Sequence, residues 1–181
     1  MNRILWLRAE SRPNERRTPL IPIHAPILVK NGFQVFVESS KTYSFADSAY
    51  LDEGCALVAN GSWRFARLDA VILGLKERPN AFFPLRHQHM YFAHVFERQM
   101  GSRELLERFK RGGGFLYDLE QVKDNFGGHC ELVESETVRG QERGVVRKQC
   151  TDFGRFRRIR AMQRSALRVV CGRAKRAADA A

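Results

Sequence analysis

One segment limits the possible folds more than any other. Asp69-Ala70-Val71-Ile72-Leu73-Gly74-Leu75 carries apolar side chains at consecutive positions, so both faces of a strand built from it are apolar. A sheet with one face in water gives alternation instead. An unbroken apolar strand belongs in a sheet covered on both sides, the usual setting of parallel strands with helical crossovers. The remainder of the chain should therefore supply further strands and helices for two outer layers.

It does. Residues 4–9 read as a strand, followed by a charged turn over residues 10–18. Pro22 suits the first turn of a helix and Gly32 its end, while Pro26 removes a helical hydrogen bond and should shorten or kink it. Residues 34–38 form a second strand. Asp47 can cap a short helix that ends before Gly54. Residues 56–58 make a weak strand, and residues 90–96 (MYFAHVF) a stronger one. Ser102 can cap a helix over residues 103–111 with Leu105, Leu106 and Phe109 on one face. The triple glycine 112–114 stops it, and residues 115–119 (FLYDL) follow as a strand. Strands alternating with helices give an α/β domain in three layers with a mostly parallel sheet. All six prolines lie at or before Pro84, and beyond about residue 125 the strand signals fade. The domain boundary is placed there.

Net charge is +11, but it is unevenly spread. Residues 1–138 hold 18 basic and 17 acidic side chains, and residues 139–181 hold 13 and 3. A nearly neutral body is thus joined to a basic tail, and the overall charge is no sign that the body binds nucleic acid. No apolar run approaches the roughly 18 residues of a membrane span. The apolar start at residues 4–7 is too short for a secretory signal, which points to a cytoplasmic protein. Cys55, Cys130, Cys150 and Cys171 form no C-x-x-C pair, so no metal site is expected.

Three regions could carry chemistry. Residues 7–17 (LRAESRPNERR) put charge just past a strand, where open α/β sheets bind ligands. Arg17 could hold a carboxylate through both arms of its guanidinium, or could join a surface ion pair. Lys76 ends the strongest strand. It could serve as a base in a partly dry site, or reach out into water. His94, in an apolar strand, fits either a hydrogen-bonded core residue or an acid/base group. His87 and His89 lack a completing carboxylate or Cys for a metal. Gly112-Gly113-Gly114 follows a helix and precedes a strand, the reverse of a phosphate loop, and no G-x-G-x-x-G occurs.

Seven strings in order, L-R-A-E-x-R-P-x-E-x-R, G-x-x-V-x-V-E, G-S-W, I-L-G-L-K-E-x-P, F-P-L-x-H-x-H, Y-F-A-H and G-G-F-L-Y-D-L-E, resemble saccharopine dehydrogenase (NAD, L-lysine-forming) over residues 4–125. The wider alanine dehydrogenase and transhydrogenase group shares part of the pattern. The resemblance implies a Rossmann-like substrate-side domain facing a separate NAD-binding domain. It also implies cleavage of saccharopine with NAD and water to L-lysine and 2-oxoglutarate. By position, Lys76 matches the base for the substrate amine, and His94 the group that activates water. Arg17 and Arg12 match substrate contacts. Glu77 and Glu120 match acids that tune the pair. A monomer acting on small molecules, without a membrane or nucleic-acid partner, is expected.

The resemblance breaks where the family continues with a G-R-R-x-A-A-F-G-like string. Here the chain reads Gly127-Gly128-His129-Cys130-Glu131. The cofactor-binding arginine and the glycine-rich NAD motif have no counterpart, so these 181 residues alone are expected to be inactive. The tail, with Phe156, Ile159, Met162, Ala166 and Val169 at helical spacing, permits a cationic amphipathic helix or a disordered segment. A contact with nucleic acid or an anionic surface is one reading of it. A reading-frame change in a G+C-rich gene is another. An alanine dehydrogenase-like substrate domain is the alternative within enzymes.

Overall fold

A computed structural model of the chain describes residues 3–12, 14–76, 82–93, 95 and 101–119, and the backbone of a short hairpin at 137–138 and 141–142. Six strands, Arg3–Leu7 (β1), Phe33–Glu38 (β2), Ala56–Val58 (β3), Val71–Leu73 (β4), Gln88–Tyr91 (β5) and Phe115–Asp118 (β6), form one sheet in the order β3-β2-β1-β4-β5-β6. Every neighbouring pair is parallel. Helices Ala25–Lys30 (α1) and Asp47–Asp52 (α2) cover one face, and Ser102–Gly112 (α3) the other.

The apolar segment at residues 70–75 occupies the position its composition demands. Val71, Leu73 and Leu75 bury in one cluster with Leu5, Leu7, Val35 and Val37, closed by Ala25, Leu28 and Tyr50 of the helices. Ile72 and Ala70 bury in the opposite cluster with Ile4 and Trp6, closed by Leu105 and Phe109 of α3. Each such aliphatic side chain contributes about 1.5–3 kcal/mol by leaving water. The sheet is therefore dry on both sides along β1 and β4, the two strands that carry the candidate site.

Several local expectations need correction. The segment from Pro22 is a 3-10 turn, Pro22–His24, that runs into α1, with Pro26 in the helix's first turn, where no N–H is needed. Asp47 does not cap α2. Ala46 holds that position, and the Asp47 carboxylate accepts the Ser39 hydroxyl instead. Ser102 is the first residue of α3, entered through Gly101 at φ 93°. The strand expected over residues 90–96 runs Gln88–Tyr91, because pairing with β6 starts at Gln88. Leu106 is 47% exposed. Arg108 takes its place on the inner face, its Nε donating to the Phe83 carbonyl at 3.1 Å and its guanidinium over the Phe83 ring. The triple glycine does end α3, with Gly113 at φ 70°. Residues 137–138 and 141–142 pair as two short antiparallel strands (β7, β8), whereas strand signals were expected to fade beyond residue 125. The tail's helical spacing, residues 156–169, lies outside the described residues.

Candidate active site at the carboxyl end of the sheet

Strand order reverses between β1 and β4. One chain direction winds outward through β2 and β3, the other through β5 and β6. Such a switch point leaves a crevice outside the carboxyl ends of the two central strands. Arg8, Ala9 and Glu10 leave β1 there, and Gly74, Leu75 and Lys76 leave β4 beside them. The last ladder bond between the strands is Arg8 N–H to the Leu73 carbonyl at 3.0 Å.

Beyond it, side chains take over. The Glu10 carboxylate accepts the N–H groups of Leu75 at 2.7 Å and Lys76 at 3.1 Å. Arg8 pairs with Glu10 at 3.5 Å and donates through Nη2 to the Lys76 carbonyl. The Arg8 guanidinium also lies 5.5 Å from the Tyr91 ring centroid. Both charged side chains are buried, which favours a paired and hydrogen-bonded arrangement of this kind.

Of the residues marked from the sequence, Arg17 and Lys76 both act on one carboxylate near this rim, that of Glu15. The Arg17 guanidinium forks onto Glu15, Nε to Oε1 and Nη2 to Oε2, both at 2.7 Å. Burial alone would raise the Glu15 carboxyl. The Arg17 hydrogen bonds and charge, and the charge of Lys76, outweigh it and hold the group below its ordinary value. Glu15, Arg17 and Lys76 thus share one electrostatic neighbourhood. The expected carboxylate grip of Arg17 is directed onto Glu15 of its own chain, and a substrate carboxylate would have to share or displace that contact. Arg12 is exposed on the adjoining turn, where its carbonyl accepts Glu15 N–H at 3.1 Å. His94, Glu77 and Glu120 lie outside the described residues. The residues flanking His94 are described: Asp118 accepts the N–H of Ala93 at 3.0 Å and of Val95 at 3.3 Å.

His87 and His89 lie within the core beside Trp63, packed edge-on. Burial, with the charges of Arg8, His87 and Arg108, pushes His89 down to about 3, so its ring is neutral. No group of three His, Cys, Asp or Glu side chains among the described residues could hold a metal ion.

Sequence reasoning passed over Arg8, Glu10, Glu38 and Asp118 as functional residues. Their common signal is an ionisable residue at the carboxyl end of an apolar strand, where ladder bonds run out and backbone donors need a new acceptor. Glu38 takes four donors: Trp6 Nε1 at 3.2 Å, Ala9 N–H at 2.9 Å, Gly61 N–H at 2.9 Å and Trp63 N–H at 2.8 Å. These carboxylates tie the strings of the resemblance together in pairs. Glu38 binds V-x-V-E to G-S-W, Glu10 binds L-R-A-E to G-L-K, and Asp118 binds Y-D-L to F-A-H.

The model of the alanine dehydrogenase/PNT N-terminal domain family matches residues 6–137. The chain belongs to that family. It is 48% identical over 124 residues to saccharopine dehydrogenase [NAD(+), L-lysine-forming] of Schizosaccharomyces pombe, covering 68% of this chain and 34% of that protein. The enzyme of the same name from Yarrowia lipolytica is 46% identical over 123 residues, 68% of this chain and 33% of that one. The chain thus spans about a third of the length of these relatives. Among solved structures, an L-alanine dehydrogenase shares the fold with a TM-score of 0.57 and 23% identity, over 68% of this chain and 34% of that one. A transhydrogenase from Sinorhizobium meliloti does so with a TM-score of 0.54 and 23% identity, over 65% and 35%.

The described residues do not fit a dinucleotide. Such a ligand needs glycines that open a helix after a strand, with N–H groups aimed at the pyrophosphate. Gly112, Gly113 and Gly114 close a helix, and a Cβ at Gly112 or Gly114 would overlap the Leu85 backbone. They permit close packing of α3 on the segment leading into β5. No helix among the described residues is long and apolar enough to cross a membrane.

Proposed function

We propose that the chain is the substrate-side domain of a saccharopine dehydrogenase of lysine metabolism. The observation that supports this reading is the place of Lys76 just past β4, at the switch point of a fully parallel sheet, with its charge acting on the Glu15 carboxylate that Arg17 holds. The 41–48% identity to enzymes of that name supports saccharopine as the substrate. A saccharopine carboxylate would dock against Arg17, with Arg12 as an outer contact. The substrate's secondary amine would give its proton to Lys76 Nζ. Hydride would pass from the adjoining carbon to NAD(+), held elsewhere in the enzyme, to leave an imine. His94 would activate water on that imine, and Glu77 and Glu120 would set the charge around the pair. L-Lysine and 2-oxoglutarate would be the products.

The relatives' names specify NAD(+). In this reading the cofactor's hydride chemistry belongs to a separate domain of the enzyme, and the domain described here supplies the substrate-side groups. The proposed domain boundary near residue 125 falls inside the family match, which runs to residue 137. The protein would act in the cytoplasm, as a monomer, on small molecules and without nucleic acid.

Titration of the 181-residue chain with saccharopine, followed by amide and side-chain NMR, tests the site. Shifts should gather at Lys76, Arg17 and their neighbours, and L-alanine at equal concentration should not reproduce them. Shifts with alanine alone would move the assignment to an alanine dehydrogenase-like domain. The same chain mixed with NAD and saccharopine should form no NADH, since hydride transfer needs the cofactor held about 3–3.5 Å from the substrate carbon. Turnover by this chain would overturn the division of labour. DNA retention that is lost with salt and on deleting residues 139–181 would assign the tail a partner instead.

A further inference from the structure

We infer that Arg8, Glu10 and Gly74 form a positioning device for Lys76, gripping its backbone on both sides of the Cα so that the amine leaves the rim in one direction. The inference rests on the reading of Lys76 as the proton acceptor and names the residues that make it one. Past Leu73 the backbone donors of Leu75 and Lys76 have no β1 strand partner, because β1 has turned into the Arg12–Glu15 bend. Glu10 supplies the missing acceptor with one oxygen for each N–H. Arg8 supplies a donor to the Lys76 carbonyl, so the peptide groups on either side of the Lys76 Cα are held, one through its N–H and the other through its C=O, by two side chains that are themselves paired.

Neither grip is an incidental surface contact. The Arg8 and Glu10 side chains are 3% and 1% exposed, while Lys76 itself is only partly buried. Arg8 is fixed further back, since its own carbonyl accepts the Tyr43 hydroxyl at 2.6 Å. Gly74 completes the device. A Cβ there would overlap the Arg8 guanidinium, so only glycine lets the arginine lie across the end of β4 and reach Lys76. Three residues from two motifs thus serve one backbone unit. An acid/base group must be held to a fraction of an ångström, and a lysine with four rotatable bonds gains little precision unless its backbone is fixed first.

The test is local order, and it needs no ligand. In the full chain labelled uniformly with 13C and 15N, amide exchange at Leu75 and Lys76 should be slow, and the Lys76 Cε signal should be more ordered than those of Lys30, Lys41 and Lys110. Glu10→Gln should speed exchange at those two amides at least tenfold and mobilise Lys76 Cε, while Leu5, Val35 and Ile72 keep their protection. Unchanged exchange at Leu75 and Lys76, or acceleration shared equally by the core amides, would overturn the proposal. Gly74→Ala tests the other grip, and serves if Glu10→Gln does not fold. It should mobilise Lys76 Cε while both amides stay protected by Glu10, and a rigid Lys76 in that variant would remove Arg8 and Gly74 from the device. Failure of saccharopine to bind would count against the functional reading and leave these order measurements standing.

Discussion

Glu10 and Glu38 leave adjacent parallel strands at the same rim, yet they solve different problems. Glu38 sits where β2 ends, is fully buried, and gathers one indole and three backbone N–H groups. All four of these donors are neutral, and together they fix the turn through Gly61 to Trp63 over the sheet. Glu10 sits at the switch point, takes two backbone donors, and shares its charge with Arg8. Donors gathered around Glu38 close a piece of core, while the buried Arg8–Glu10 pair braces the ends of β1 and β4 at the switch point. One residue type at equivalent strand ends therefore does structural work on the β2 side and site-building work between β1 and β4.

Removing Glu38 should give the larger loss. Glu38→Ala leaves four donors without their acceptor in a dry environment, and unsatisfied buried groups cost about 1–3 kcal/mol each before relaxation. Allowing for water entry, urea unfolding should show a loss of about 3–5 kcal/mol. Near-native stability would mean that the turn at residues 61–63 is held by packing alone.

Glu10→Gln should cost about 2–3 kcal/mol, mostly by leaving Arg8 buried without its counter-charge. The comparison sharpens in the double variant Arg8→Met/Glu10→Gln, which should recover about half of that loss because no unpaired charge remains. Glu38 has no such single-partner rescue, since its donors are mostly main chain. A double variant worse than Glu10→Gln alone would show that the Arg8–Tyr91 contact matters more than the ion pair.

Acid should act first on the face that Glu38 closes. His89 packs against Trp63, and its folded-state value near 3 lies below the ordinary 6.5 of histidine. A histidine kept neutral by the fold binds its proton more readily when unfolded. Its stability contribution is therefore complete above about pH 6.5 and falls with acid, by up to ~1.4 kcal/mol per pH unit until the folded value is reached. His89→Phe should flatten stability between pH 6.5 and 4. An unchanged slope would place the acid sensitivity elsewhere.

The layered parallel sheet was legible because Ala70–Leu75 allows no other environment, and because Pro22, Gly32 and the triple glycine punctuate it. Lys76 and Arg17 were legible as rim residues once strand ends were assigned. What stayed hidden depended on tertiary pairing. Asp47 and Ser102 have the right chemistry for caps, but Ser39 and the left-handed Gly101 were better placed. Leu106 fits an apolar stripe by spacing, yet the face of α3 that meets Phe83 is turned enough to bury Arg108. Glu10, Glu38 and Asp118 read as ordinary polar strand ends, because the donors they satisfy lie 23 to 66 residues away.

The smallest effect on stability should come from Arg17. Its bidentate contact with Glu15 has good geometry, but the arginine is about a quarter exposed, and water and salt screen the pair. Arg17→Met should cost less than about 1 kcal/mol near neutral pH. The sign with pH follows from Glu15, whose folded value is depressed. The pair's contribution is present above the ordinary carboxylate range and is lost as pH falls through the lower folded value, so wild type and variant should converge once the pH is below it. The proposed carboxylate contact would make the same substitution abolish saccharopine-induced shifts at Lys76. A site residue that costs little when removed but takes ligand recognition with it would stand opposite Glu38, whose loss should damage the fold and spare the chemistry of the rim. Strong saccharopine binding by the Arg17→Met chain would place the carboxylate contact on another residue and leave Arg17 as the partner of Glu15 alone.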